Sequence, residues 1–274
     1  MKLQLVPARQ GALWVRRGFA VFFTRPLAFA ALFTSFLFFG LVAMLIPWVG
    51  PLLLLAALPL VTLAFMLATQ RALQGQAPGP SVFVAPFRVS RPRSIALLQM
   101  GLAYAVASVA IIGLSDFADG GKFEALQEAM SGGKEDAAAI AALLADPQLQ
   151  IGLLLRFGLA SLLSLPFWHA PALLHWSNQG VGKALFFSTV ACWRNLGAFT
   201  VFALAWGGAI LLFGMVANLL AALLGQAQLI AMAAIPAGLM FSTVFYASLY
   251  FTFADCFAPD DAPDTSPGAA DGVA

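Results

Sequence analysis

Six apolar runs, at 27–46, 52–69, 94–114, 147–174, 197–223 and 229–253, leave this chain one environment in which to fold. Each is close to or longer than the roughly 20 residues that cross about 30 Å of hydrocarbon as a helix. The chain is 61% hydrophobic and 9% charged, against about 25% charged in a soluble domain, so no polar shell could cover these runs in water. Inside a bilayer the backbone must satisfy its own hydrogen bonds, and an apolar run does so as a helix. The expected fold class is all-α: a polytopic membrane protein with six transmembrane helices as three hairpins. Residues 1–254 form one transmembrane domain, with a polar outer loop at 115–146 and a disordered acidic tail at 255–274.

Charge is segregated along the chain. No Asp or Glu precedes Asp116, seven lie between Asp116 and Asp146, and the other five begin at Asp255. Five Lys or Arg residues lie before the first span, four in the 70–93 loop and two in the 175–196 connection, against two in the outer loop. By the positive-inside rule both termini are expected to be cytoplasmic. The basic residues have few acidic neighbours in sequence, so anionic lipid headgroups are their expected counter-ions. These membrane-surface residues are Arg9, Arg16, Arg17, Arg25, Arg88, Arg91 and Arg93. Cys192 and Cys256 have neither paired nor metal-binding spacing and are expected as free thiols. The run at 27–46 is too long for the apolar core of a cleavable signal peptide.

Residues 8–24 read as an amphipathic helix with Arg9, Arg16 and Arg17 on one side and Trp14, Phe19, Phe22 and Phe23 on the other. That is the pattern of a helix lying in the membrane interface. A shorter element at 81–88 and an amphipathic segment at 183–195 hold the same place before the third and fifth spans. The order of surface segment, Arg, span, turn and Pro-bearing span thus occurs three times. Its markers are Arg25-Pro-Leu-Ala with Pro59, Arg93-Ser-Ile-Ala with Pro166, and Arg194-Asn-Leu-Gly with Pro236. Such a repeat predicts hairpins packed either around a pseudo-threefold axis or in a line.

Three segments carry a family resemblance: Leu3-Gln-Leu-Val-Pro-Ala-Arg-Gln-Gly11, Phe167-Trp-His-Ala-Pro-Ala-Leu-Leu-His-Trp176 and Cys192-Trp-Arg-Asn-Leu-Gly-Ala-Phe199. They resemble a family of bacterial inner-membrane proteins defined by a domain of unknown function. The order of surface helix and hairpin is also similar, more distantly, to the non-catalytic membrane domain of some glycerophosphodiester phosphodiesterases. The resemblance implies an architecture and an inner-membrane location, and brings no catalytic residues with it.

The candidate site residues cluster at the end of the fourth span. His169 and His175 are six residues apart, about 240° of helical rotation, so a straight helix would not aim both at one metal ion. Their spacing, even with Cys192 added, matches no metal motif. Two readings remain. Trp168, Trp176 and the histidines anchor the span at the interface, or His169, His175, Lys183 and Arg194 line a pocket for a lipid headgroup or small ligand. Arg156, about 13 Å into the span, is either paired within the protein or lines a path. Asp116, Asp119, Glu124 and Glu128 have helical spacing that suits a solvated surface better than a cation site. No nucleophile elbow, phosphate loop or catalytic dyad is present, and no cofactor or metal is implied. The spans lack the carboxylates a proton relay most often uses. The expected activity is therefore non-enzymatic: binding lipid or a membrane partner in support of envelope organisation, with no nucleic acid. The competing expectation is a transporter whose path runs near Arg156 and His169/His175.

Overall fold

The computed structural model describes residues 1–131, 137–177, 179–226 and 228–258. The tail expected from 255 starts inside a helix, and its residues from 259 on lie outside the described ones. Among the described residues six helices are long and apolar enough to cross a membrane. They are α2 (Pro26–Met44), α3 (Val49–Leu73), α5 (Arg91–Asp119), α8 (Pro147–Trp176), α10 (Leu196–Leu224) and α11 (Gln228–Cys256). Shorter helices join them: α1 (Gln10–Thr24), α4 (Ser81–Val84) with a 3-10 turn at Ala85–Arg88, α6 (Lys122–Ser131), α7 (Ala137–Leu144) and α9 (Val181–Arg194). Strand β1 (Lys2–Leu3) pairs antiparallel with β2 (Phe257–Ala258), so both ends of the described chain meet on one face. We call this the basic face, and the α6–α7 side the loop face.

Local chemistry sets the boundaries. Proline opens α2 and α8 at the first position, where its missing N–H costs no hydrogen bond. Asp146 caps α8 by accepting from the Gln148 N–H at 2.8 Å. Lys122, paired with it, and that N–H together hold the Asp146 carboxyl below its usual value. Gly120 and Gly225 end α5 and α10 in left-handed conformation, which glycine adopts without a side-chain clash.

The packing closes a ring. α4 and its 3-10 turn lie against α3, α9 lies against α8, and α1 lies against α11 and α10. Each surface element therefore rests on the last span of the hairpin before it, with the first element returning to the third hairpin. Of the two arrangements allowed by the repeat, this is the closed one. α3 is its central post, with half of its apolar window buried against 6% for α10. The large side chains left exposed on α2, α5, α8 and α10, such as Leu41, Leu102, Leu154 and Leu211, need acyl chains around them.

Most of the aromatic side of α1 does not face outward; Phe23, near the end of the helix, is the exception. Trp14 is fully buried and Phe22 nearly so, and the helix packs on the spans of its own chain. Gly11 and Gly18 permit this, because a Cβ on Gly11 would stand 2.1 Å from the Ala198 carbonyl oxygen. Small residues of this kind let helix backbones touch within a membrane. α9 keeps the interfacial pattern: Ala184, Ser188, Ala191 and Cys192 are buried, whereas Phe186 and Trp193 are exposed.

Candidate functional site

Gln10, Trp14 and Arg17 follow one another at i, i+4 and i+7 on α1, so they share one side of the helix. All three reach Asp255 at the end of α11. Gln10 donates through Nε2, Trp14 through Nε1 at 2.8 Å, and Arg17 through Nη1 at 3.0 Å. The Arg17 guanidinium also lies 5.8 Å from the centre of the Phe251 ring, one turn earlier on α11. Beside this hub, Asn195 fastens the N-terminal strand. Its Oδ1 accepts from the Val6 N–H at 2.8 Å, and its Nδ2 donates to the Gln4 carbonyl at 3.1 Å and the Ala191 carbonyl at 3.0 Å.

The histidine segment is locked by a second network. The Ser188 hydroxyl of α9 enters the backbone ladder of α8 between Pro166 and Pro171. It donates to the Leu165 carbonyl at 2.7 Å and accepts from the His169 N–H at 2.9 Å. A side chain inserted this way replaces the helical bond that would have joined the two groups. Cys192, one turn on from Ser188, points its thiol at the same carbonyl at 3.7 Å. Burial pushes that thiol up to about 12, so it is no thiolate ligand or nucleophile at neutral pH.

Thr252 on α11 completes this junction. Its hydroxyl donates to the Leu249 carbonyl at 2.8 Å and accepts from Trp168 Nε1 at 3.2 Å, with His169 Nε2 also 3.2 Å away. Because the hydroxyl proton is committed to Leu249, His169 carries its own proton on Nε2. Both His169 and Thr252 are fully buried, so their contact is a structural joint and not a reactive dyad. Phe199, Phe253 and Phe257 surround the imidazole at 5.4–6.1 Å between centroids.

The residues singled out from the sequence thus fall into separate places. His169 and Trp168 belong to the joint, and Trp176 stacks on Phe253 at 5.2 Å. His175 is half-buried near Arg93, whereas Lys183 and Arg194 are exposed on α9. His169 is sealed from the surface that carries Lys183 and Arg194. Among the described residues no group of three or more His, Cys, Asp or Glu could hold a metal ion.

Arg156 stands 13 residues before His169, about 20 Å away along α8, towards the loop face. Its Nη2 pairs with Asp116, its Nε donates to Ser115 Oγ at 3.1 Å, and its guanidinium covers the Phe123 ring at 3.9 Å. The pairing arises because α5 runs to Asp119, five residues past the expected end of the third span. Asp119 is buried against Gly152 and accepts from the Gly121 N–H at 2.8 Å.

On the basic face, Arg9, Arg16, Arg17, Arg25, Arg88 and Arg91 are exposed and Arg93 is half-buried. Arg25 donates to the Gly75 carbonyl at 3.2 Å, and Arg71 to Ser81 Oγ at 2.9 Å. Among the described residues Arg88 and Arg91 make no ion pair with an acid. Beneath them α2, α3 and the α4 element enclose an apolar groove of about 420 Å³, walled by Phe36, Phe39, Leu60, Phe83 and Phe87. The network residues Asp255, Asn195, Ser188 and Thr252 were not expected as site residues. Only Asp255 left a sequence signal, as the one carboxylate at the basic-face end of a span.

A Burkholderia thailandensis protein named a probable inner membrane protein is 35% identical to this chain over 260 residues, covering 93% of this chain and 94% of that protein. No protein-family model matches the chain, and no solved structure matches it.

Proposed function

This chain belongs to the same family as that Burkholderia thailandensis inner-membrane protein, and on that premise we propose that it is a non-enzymatic binder of anionic lipid in the cytoplasmic leaflet. The observation that carries the reading is the groove beneath Phe83 and Phe87, bordered by arginines without acidic partners among the described residues. Arg71 meets Ser81 at one end of the α4 element, Arg88 closes the other, and Arg91 follows on α5. An acyl chain would fill the groove while the phosphate met the guanidiniums, which suit phosphate geometry. By holding lipid around a closed ring of hairpins, the protein would support envelope organisation. The distant likeness to the membrane domain of glycerophosphodiester phosphodiesterases belongs to this reading.

The basic face is cytoplasmic in this proposal, by the asymmetry of Lys and Arg. A single cysteine placed at Gln76, in a variant lacking Cys192 and Cys256, is expected to react with an impermeant maleimide in inside-out vesicles only. Labelling from the periplasmic side would overturn the orientation.

Native mass spectrometry of gently extracted protein tests the lipid reading. The parent is expected to retain phosphatidylglycerol or cardiolipin. At about 1 kcal/mol per basic residue, an Arg88→Gln/Arg91→Gln variant should bind roughly 30-fold more weakly. A Lys183→Ala/Arg194→Ala variant asks whether α9 adds to the site. Equal retention by the parent and the Arg88/Arg91 variant would sink the proposal. A transport path through both Arg156 and the histidines has less support, because the arginine is paired near the loop face and His169 is enclosed.

A further inference from the structure

A second cavity lies on the other side of α3 from the groove and has different chemistry. It occupies about 210 Å³ where α3, α5, α8 and α11 converge. Thr62 on α3, Tyr104 on α5 and Ser164 on α8 sit near the middle of helices 25, 29 and 30 residues long, so the cavity lies at the depth of the hydrocarbon. Among the described residues no charged side chain lines it. An ionic ligand would lose its hydration there without compensation, so the cavity selects a neutral one.

Its four hydroxyls divide into two kinds. Thr62 donates to the Leu58 carbonyl at 3.1 Å, and Ser164 donates to the Ser161 carbonyl at 2.6 Å, so neither proton is free. The phenols of Tyr104 and Tyr246 have no hydrogen-bond partner among the described residues, and their protons are available. A ligand that accepts two hydrogen bonds therefore suits the site better than one that donates them. Phe167 and Trp168 supply flat walls, held by the Tyr104–Phe167 edge contact at 5.0 Å and the Trp168 bond to Thr252. A cavity of about 150 Å³ holds a benzene-sized ring. One substituted ring is thus the matching size.

We propose that this central cavity binds the head ring of a membrane-dissolved quinone, with the Tyr104 and Tyr246 hydroxyls donating to its carbonyl oxygens. The site is separated from the groove by α3 and does not depend on the anionic-lipid reading. Reversible binding is the whole claim, with no electron transfer.

The test titrates the full chain in nanodiscs with a benzoquinone carrying one isoprene unit and follows tryptophan quenching. Saturable quenching is expected in the parent. Much of its amplitude should vanish in Trp168→Phe, the tryptophan on the cavity wall. The Tyr104→Phe/Tyr246→Phe variant should bind at least tenfold more weakly. So should the ring-matched hydrocarbon, prenylbenzene, when its ability to displace the quinone from the parent is measured. Should the double variant fail to fold, Ser164→Leu, which fills the cavity and keeps both phenols, is expected to abolish saturation. Non-saturating quenching alike in the parent and Ser164→Leu would mean simple partitioning into the bilayer and overturn the site. Displacement by prenylbenzene as effective as by the quinone would overturn the assignment of the phenols.

Discussion

Replacing Gly11 with alanine is expected to loosen α1 from the third hairpin and destabilise the fold by about 2–3 kcal/mol, the cost typical of overpacking a close contact. The added methyl would stand 2.1 Å from the Ala198 carbonyl oxygen and 2.5 Å from the Phe202 nitrogen. Both are backbone atoms of α10, so no rotamer change can relieve the clash and the helices must separate. In detergent the unfolding midpoint should fall by roughly 5–10 °C, taking about 2–4 °C per kcal/mol for a protein of this size. Gly207, mid-way along α10 with nothing within 4 Å of its added Cβ, is the control. Gly207→Ala should leave the midpoint unchanged or raise it slightly, since alanine favours helix. Equal midpoints for the two variants would show that α1 does not depend on this close approach.

The second large effect is expected at Asp255. Its carboxylate receives Gln10, Trp14 and Arg17 together, and Trp14 is fully buried. Asp255→Ala leaves the Trp14 N–H without an acceptor, a loss of about 1–3 kcal/mol for a buried group. The Arg17 pair adds little, because the Arg17 side chain is 44% exposed. A total of about 3 kcal/mol is expected, read as a lower midpoint and a change in tryptophan emission. Asp255→Asn keeps an acceptor for Trp14 but no charge for Arg17, and should lie between. Adding Arg17→Ala to Asp255→Ala should cost almost nothing further. A loss under about 0.5 kcal/mol for Asp255→Ala would place the hold on α1 in the glycine contacts alone.

The two substitutions attack one joint by different physics, and that joint closes the ring. Gly11 governs how near α1 comes to α10, whereas Asp255 governs where it stops along α11. The N-terminal strand depends on the same docking. Asn195, at the junction of α9 and α10, bonds Gln4 and Val6 just ahead of α1.

Much of this could be read along the chain. The start of the fourth span was legible because its apolar run begins at 147, and the structure adds that Asp146 caps the helix there. Arg156 was legible as a residue needing a partner, but the partner was not. Asp116 became one only because α5 continues beyond the apolar run, which no hydropathy window reports. The outward side expected for the α1 aromatics followed from its polar and apolar halves. An apolar stripe looks the same whether lipid or protein covers it, and here α10 and α11 cover it.

The same limit applies to the histidine segment. Pro166 and Pro171 can be seen in the sequence, but not that Ser188, 19 residues beyond His169, bonds the Leu165 carbonyl and the His169 N–H between them. Its serine character gave no sign of that role until α9 folded back along α8.

What the sequence determined by itself was the number of spans, the segregation of charge between the two faces and the threefold order of elements. These are one-dimensional quantities, set by the thickness of hydrocarbon and by where charged residues can remain solvated. Tertiary structure alone decided that α1 returns to the third hairpin, that Asp255 gathers three donors, and that four hydroxyls meet between α3, α5, α8 and α11. Lipid tails are as apolar as leucine, so hydropathy does not say which side of a span faces protein. That choice falls to close packing at glycines and to hydrogen bonds between residues far apart in sequence, and both exist only once the helices have met.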